Sequence, residues 1–311
     1  MEILSALIII FGLTIFEVVI SIDNAIINAD VLATMEQRYR RWFLIYGIII
    51  AVFLIRGLLP WLIVWIANPS LGPVNSFLFA FSDNPEIKES LEKSAPLILM
   101  TGGIFLIFLF LHWLFLEPKH FGLIGEKFFS KQGAWFFAIA SLILTLVIWF
   151  SLKRDPLLAF TAALGSSLFF LVHGFREYAA RMEMEARESN QNLSAISKLL
   201  YLEVLDASFS IDGVIGAFAF TFAVPLILLG NGIGSFIVRE LTIKGVEKIK
   251  KYIFLKNGAM YSIFFLGLSM TLRSFGIEIP EILSPLVTFV IIGFFFWKSK
   301  AFLNTKLNNE R

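Results

Sequence analysis

Five carboxylates stand in stretches that otherwise read as lipid-soluble. Glu17 and Asp23 lie in IFEVVISIDNAIINAD (Ile15 to Asp30), and Glu203, Asp206 and Asp212 lie in or beside YLEVLDASFSIDGVIGAF (Tyr201 to Phe218). Each carboxylate at mid-membrane costs roughly 2.5 to 3.5 kcal/mol even on the lenient insertion scale. A chain that keeps five must neutralise them, and Arg56 is the single arginine inside a predicted span. Protons, water and a bound cation have to supply the rest. The same stretches offer Asn24, Ser21 and Ser210 as further oxygen donors, with no histidine among them and no cysteine in the chain. An oxygen-only donor set selects a hard divalent ion, Mn²⁺, Ca²⁺ or Mg²⁺, over copper or zinc. The ion would be a transported substrate, so no permanently bound cofactor is expected.

The two stretches are copies of one motif. Placing Asp206 under Glu17 aligns EVVISIDN with DASFSIDG, so that Ser21 matches Ser210, Ile22 matches Ile211 and Asp23 matches Asp212. Glu203 falls opposite Thr14 and is a surplus acid on the second copy. Five spans separate the starts of the copies, so the two motif helices should cross the membrane in opposite directions. That is an inverted-topology repeat, a recurring plan in transporters whose site lies at the midplane between the repeats. At 100° per residue Glu17, Ser21 and Asn24 share one helix face, as do Glu203, Asp206 and Ser210, whereas Asp23 and Asp212 point away. Ser, Asp, Asn and Gly are poor helix formers. A break at each Ser-Ile-Asp would let the aspartates converge, and the expectation is that both motif helices are broken there.

These residues need a scaffold, and composition names it. Of 311 residues 58% are apolar and 35 are phenylalanine, whereas soluble domains are nearer half apolar. The expected fold is all-α, a polytopic membrane helix bundle. About 20 apolar residues are needed per span, which gives nine spans near 4–29, 42–67, 96–116, 134–152, 157–175, 199–222, 224–238, 252–272 and 280–297. Residues 1–175 form a first membrane half, 176–198 a charged connector expected to be helical and solvated, and 199–311 a second half. FSDNPEIKESLEKSAP reads as a short outer helix, and LLGNGIGSF as a helix break or a close helix crossing. The N-terminus reads as the first span and not a cleaved signal, since Glu2 precedes it without Lys or Arg. An N-out, C-in orientation puts most of the 26 basic residues on one, cytoplasmic side; the Lys153/Arg154 turn runs against that rule. The expected location is a bacterial inner membrane. A net charge of +2 argues against a nucleic-acid partner, and the partners are the lipid bilayer, a divalent metal ion and exchanged protons.

EVVISIDN and EVLDASFSID resemble the two signature segments of the TerC family of integral membrane proteins, in the cation-exporting branch of the LysE-like superfamily. The resemblance covers about two helices. It implies manganese efflux, with Glu17, Asp23 and Asn24 on the first motif and Glu203, Asp206 and Asp212 on the second. The chain departs from the pattern at Gly213 and Val214, where a serine and a Pro-containing turn are expected.

Plainer roles compete at several positions. Ser21 and Ser210 serve equally well as hydroxyls that bond back along their own helices. Asp30, nearer the cytoplasm, reads as a solvated helix-end acid, with ion entry as the alternative. Arg56 is either a counter-ion for a carboxylate in the ion-free state or a snorkelling side chain. His112 and His173, near cytoplasmic span ends, read as interfacial hydrogen-bonders, with a proton relay as the alternative. At the level of function, a pair of membrane aspartates also suits an intramembrane aspartyl protease, although no Gly-x-Gly-Asp occurs. The charged connector suits a membrane-protein assembly factor. The transporter reading uses all the acids, and on it the chain is not an enzyme.

Overall fold

A computed structural model of the protein describes residues 3–47, 50, 57, 58, 61, 62, 65, 72–80, 85–188, 194–244 and 246–309. Every regular element among them is helical: α1 (Ile3–Ile20), α2 (Ile22–Ala33), α3 (Gln37–Trp42), α4 (Gly72–Ala80), α5 (Pro85–Phe115), α6 (Glu126–Ser130), α7 (Trp135–Leu152), α8 (Pro156–Glu188), α9 (Ala195–Ala217), α10 (Val224–Lys244), α11 (Val246–Ile249), α12 (Leu255–Ser274) and α13 (Leu283–Asn309). A π-helical segment, Phe43–Gly47, follows α3.

The molecule is an all-α membrane bundle. Among the described residues six helices are long and apolar enough to span: α1, α7, and the windows Lys93–Phe115, Pro156–Tyr178, Val224–Ile243 and Leu283–Thr305 of α5, α8, α10 and α13. Two more, α9 with 23 residues and α12 with 20, have spanning length but carry the polar residues that matter below. The span expected at 42–67 lies largely outside the described residues, and so does Arg56.

Helix α5 is the axis of the bundle, with 83% of its apolar window buried, against 17% for α7 and 22% for α13. Phe105 and Phe108 pack edge-on against Phe169 of α8. Glycines let α12 approach closely, since a Cβ at Gly103 would lie 2.4 Å from Thr271 Oγ1 and 2.9 Å from the Gly267 carbonyl oxygen. Small residues at a crossing replace the hydrophobic drive that lipid does not supply. On the periphery Phe11, Trp149, Phe160, Val290 and Trp297 are exposed, as side chains solvated by hydrocarbon should be.

Several expectations need correction. The segment before the third span is not a separate outer helix, because α5 begins at Pro85 and runs 31 residues without interruption, through Pro96. The fifth span continues as one helix into the connector as far as Glu188. The seventh span is not short or broken, since α10 is a continuous 21-residue helix through its glycines. At the Lys153/Arg154 turn, Lys153 Nζ lies 5.0 Å from the Trp149 ring centroid and Arg154 donates to the Phe275 carbonyl, so both charges have local partners.

The motif helices differ from the expectation and from each other. The first is interrupted at Ser21 (φ −90°, ψ 4°), but Ser21 N–H still donates to the Glu17 carbonyl (3.1 Å) and its carbonyl still accepts from Ala25 N–H (2.9 Å). The interruption is a bend one residue wide, not an unwound loop. The second motif is not broken: α9 runs straight through Ser210, Ile211, Asp212 and Gly213. The hydroxyls of the two serines also make different bonds. Ser210 Oγ donates to the Asp206 carbonyl (2.7 Å), within its own helix, whereas Ser21 Oγ donates to the Glu17 carboxylate (2.8 Å).

Candidate cation site

The two motifs meet. Phe16 lies against Gly216, Glu17 against Gly213 and Asn24 against Asp206, so one chain direction runs down as the other runs up. An inverted repeat requires the two motif helices to run in opposite directions, as they do here. Helix α10 lies parallel to α1 on its other side, with Gly230 on Leu13 and Gly234 on Glu17.

Glu17, 1% exposed, is the centre of this contact. Its Oε1 accepts from Ser21 Oγ (2.8 Å) and from Ser235 Oγ of α10 (3.4 Å). Two glycines make room for it. A Cβ at Gly213 would lie 2.6 Å from Glu17 Oε2, and one at Gly234 would lie 2.6 Å from Glu17 Cβ. LLGNGIGSF is therefore a close crossing, the second of the two roles expected of it. Asn24 donates through Nδ2 to Asp206 Oδ1 and joins the motifs directly.

The aspartates do not converge on Glu17. Asp212, 3% exposed, is held by Arg176 Nη2 at 2.7 Å. Asp23 is a third exposed at its side chain and meets Lys256 Nζ at 2.6 Å; the same Nζ lies 2.7 Å from Glu117 Oε2. Glu117 Oε1 in turn lies 3.4 Å from His112 Nδ1, and the His112 and His173 ring centroids are 3.9 Å apart. Burial alone would raise the Glu117 carboxyl, but the His112 contact and the Lys256 charge outweigh it and hold it at about 2. Glu203 faces elsewhere, with its Oε1 2.4 Å and Arg239 Nη2 2.7 Å from where a Cβ on Gly47 would sit. Arg239 donates to the Phe43 carbonyl and lies 4.4 Å from that ring's centroid. Asp30 is exposed and meets Lys250 at 3.3 Å, in keeping with the solvated role.

Among the described residues no group of three or more His, Cys, Asp or Glu is placed to hold a metal ion. The acids are distributed among separate partners, and several of those partners are cations. This corrects the charge accounting based on Arg56 alone. Arg176 enters because α8 continues past its span, Arg239 because α10 is longer than expected, and Lys256 because α12 begins beside motif one. Sequence offered one signal for Lys256: a lysine in the first turn of a helix opposes the helix dipole unless acids hold it there.

Buried polar atoms that make no hydrogen bond within the described residues include Asn24 Oδ1, Asp212 Oδ1, both carboxylate oxygens of Glu203 and both amide atoms of Asn231, together with atoms on other helices such as Ser151 Oγ, Ser269 Oγ and Thr288 Oγ1. Asn231 is 0% exposed and lies one turn before Ser235 on α10. Buried polar atoms are nearly always satisfied, so oxygens left over between two motif helices suit an ion or water.

A family model described as Protein of unknown function (DUF475) matches residues 22–306. No curated protein and no solved structure matches the chain.

Proposed function

The chain belongs to that family, and from the arrangement of its motif helices we propose that it is a secondary transporter exporting a hard divalent cation, Mn²⁺ above Ca²⁺ or Mg²⁺, in exchange for protons. The observation that carries this reading is the antiparallel contact of two acid-bearing helices, along which Glu17, Asp206 and Asp212 are buried and Asn24 Oδ1 and Asp212 Oδ1 accept no hydrogen bond within the described residues. Glu17, Asp23, Asn24, Asp206 and Asp212 are the ligands on this reading, with Ser21 and Asn231 as further oxygen donors. On this reading Arg176 and Lys256 neutralise the two motif aspartates whenever no cation is bound. Cation entry exchanges those pairs for metal coordination, and protons balance the charge on the return. Glu203, which lies beside Gly47 together with Arg239, serves as an inner gate. The resemblance of both motifs to the TerC segments supports manganese as the ion.

The test is thermal stabilisation of the detergent-solubilised protein by Mn²⁺, because a ligand that binds only the folded state raises its stability. Asp23→Asn and Asp212→Asn should each abolish the shift. Retention of the full shift in both variants would remove this site. Single-cysteine labelling tests the topology, with positions 40 and 248 expected on the cytoplasmic side and 89 outside; outside labelling at 248 would overturn the inverted repeat.

A further inference from the structure

Lys256 Nζ lies between two carboxylates from different elements, 2.6 Å from Asp23 Oδ2 on α2 and 2.7 Å from Glu117 Oε2 in the loop after α5. Both distances are those of close charge-assisted contacts. An ammonium that bridges two carboxylates occupies the position a small inorganic cation would take. We propose that Lys256 is a tethered cation which bars monovalent ions from the path to the first motif, and that Glu117 is a second carboxylate met by the transported ion. The inference rests on the transporter reading above and names the class of ion that its entrance admits.

Charge decides the outcome. Asp23, Lys256 and Glu117 together carry −1, and a sodium ion replacing the ammonium would leave the same −1 while the lysine had to be moved. A divalent ion would bring the two carboxylates to zero. Exchange is therefore favourable for a divalent cation and unrewarded for a monovalent one. The lysine can make the move. It lies in the first turn of α12, its side chain is 29% exposed, and a four-carbon stem carries the charge. Its place does not serve the helix, whose positive end repels it. The surrounding groups are already engaged: Glu117 Oε1 with His112, His112 with His173, and Asp212 with Arg176.

The experiment is calorimetric titration of Mn²⁺ into the full-length protein in detergent, in sodium chloride and in choline chloride. The wild type should bind with the same affinity in both salts. Lys256→Met should bind several-fold more tightly in choline and lose that gain in sodium, because sodium now competes; Lys256→Arg should keep the indifference to sodium. Equal or weaker binding by Lys256→Met, or its continued indifference to sodium, overturns the proposal. Should Lys256→Met fail to fold, Glu117→Gln tests the same charge logic. With one carboxylate fewer the lysine balances Asp23 in full, and Mn²⁺ affinity should fall several-fold; unchanged affinity overturns the proposal. If neither wild type nor variant binds Mn²⁺, the transporter reading falls and this inference with it.

Discussion

Motif one and motif two share Ser-Ile-Asp, yet their aspartates live in different surroundings. Asp212 is buried on an unbroken helix and held by a guanidinium; Asp23 follows a bend, is a third exposed, and shares an ammonium with Glu117. The difference comes from the neighbours, since α8 brings Arg176 to one copy and the start of α12 brings Lys256 to the other. A planar guanidinium in a dry setting is a fixed partner, while a lysine at a wet helix end is a movable one. A repeat of sequence therefore need not repeat its surroundings: the second motif's aspartate meets a buried guanidinium and the first's a partly exposed ammonium, and on the proposed reading a cation must displace both.

The strongest way to break this comparison is Arg176→Leu. Removing one member of a buried ion pair leaves an uncompensated charge, so a loss of about 3 to 5 kcal/mol is expected in a reversible melt. Arg176→Leu with Asp212→Asn should recover most of it. A cost no larger than that of Lys256→Met would erase the distinction between the halves. Next in size is Gly234→Ala, whose methyl would meet Glu17 Cβ at 2.6 Å and the Thr14 carbonyl at 3.0 Å. Overpacking of this kind costs about 1 to 3 kcal/mol, read as a lowered midpoint, and no change would show that α1 and α10 are not clamped at Glu17.

Asn231→Leu should act in the opposite direction on stability. An unsatisfied buried amide costs about 1 to 3 kcal/mol, so the variant should melt at the same temperature or higher while its Mn²⁺ shift shrinks. A lower midpoint with an intact shift would assign Asn231 to structure. Asp23→Asn is expected to cost the apoprotein no more than about 1 kcal/mol, as partly exposed pairs do, well below the Arg176 variant. The smallest effect is confined to acid. Glu117 has a folded value of about 2 against an ordinary 4.5, so its contribution is complete above 4.5 and is lost as pH falls toward 2. Melting midpoints of wild type and Glu117→Gln should converge across that interval; parallel curves would show that Glu117 gains nothing from its partners.

The bundle was legible because apolar length alone marks a span, and the meeting of the motifs was legible because their acids have no place in lipid. Helical phase put Glu17 and Ser21 on one face, and the Ser21 hydroxyl does donate to the Glu17 carboxylate. What escaped was the set of cations. Arg176 and Arg239 sit just past the ends of the predicted apolar spans and Lys256 in the first turn of α12, and hydropathy cannot tell a charge that ends a span from one that turns back into the bundle. The unbroken α9 escaped for another reason. Low propensity at Ser, Asp and Gly is a weak preference of about 1 kcal/mol or less per residue, and tertiary packing overrides it. Gly213 reads as a breaker but serves as the notch that admits Glu17.

The bend at Ser21 bears on how fast the first motif could respond. Because its N–H and carbonyl both stay in the helical ladder, straightening the helix asks only for a rotation near one residue and breaks no backbone hydrogen bond. The barrier then lies in the side chains, chiefly the Ser21 to Glu17 contact, and a hinge of that kind can relax on the microsecond to millisecond scale of collective helix motions. Relaxation-dispersion measurements at Ile22 and Ala25 should detect that exchange, and Ser21→Ala should quicken it; Ile211, in the unbroken copy, should stay quiet.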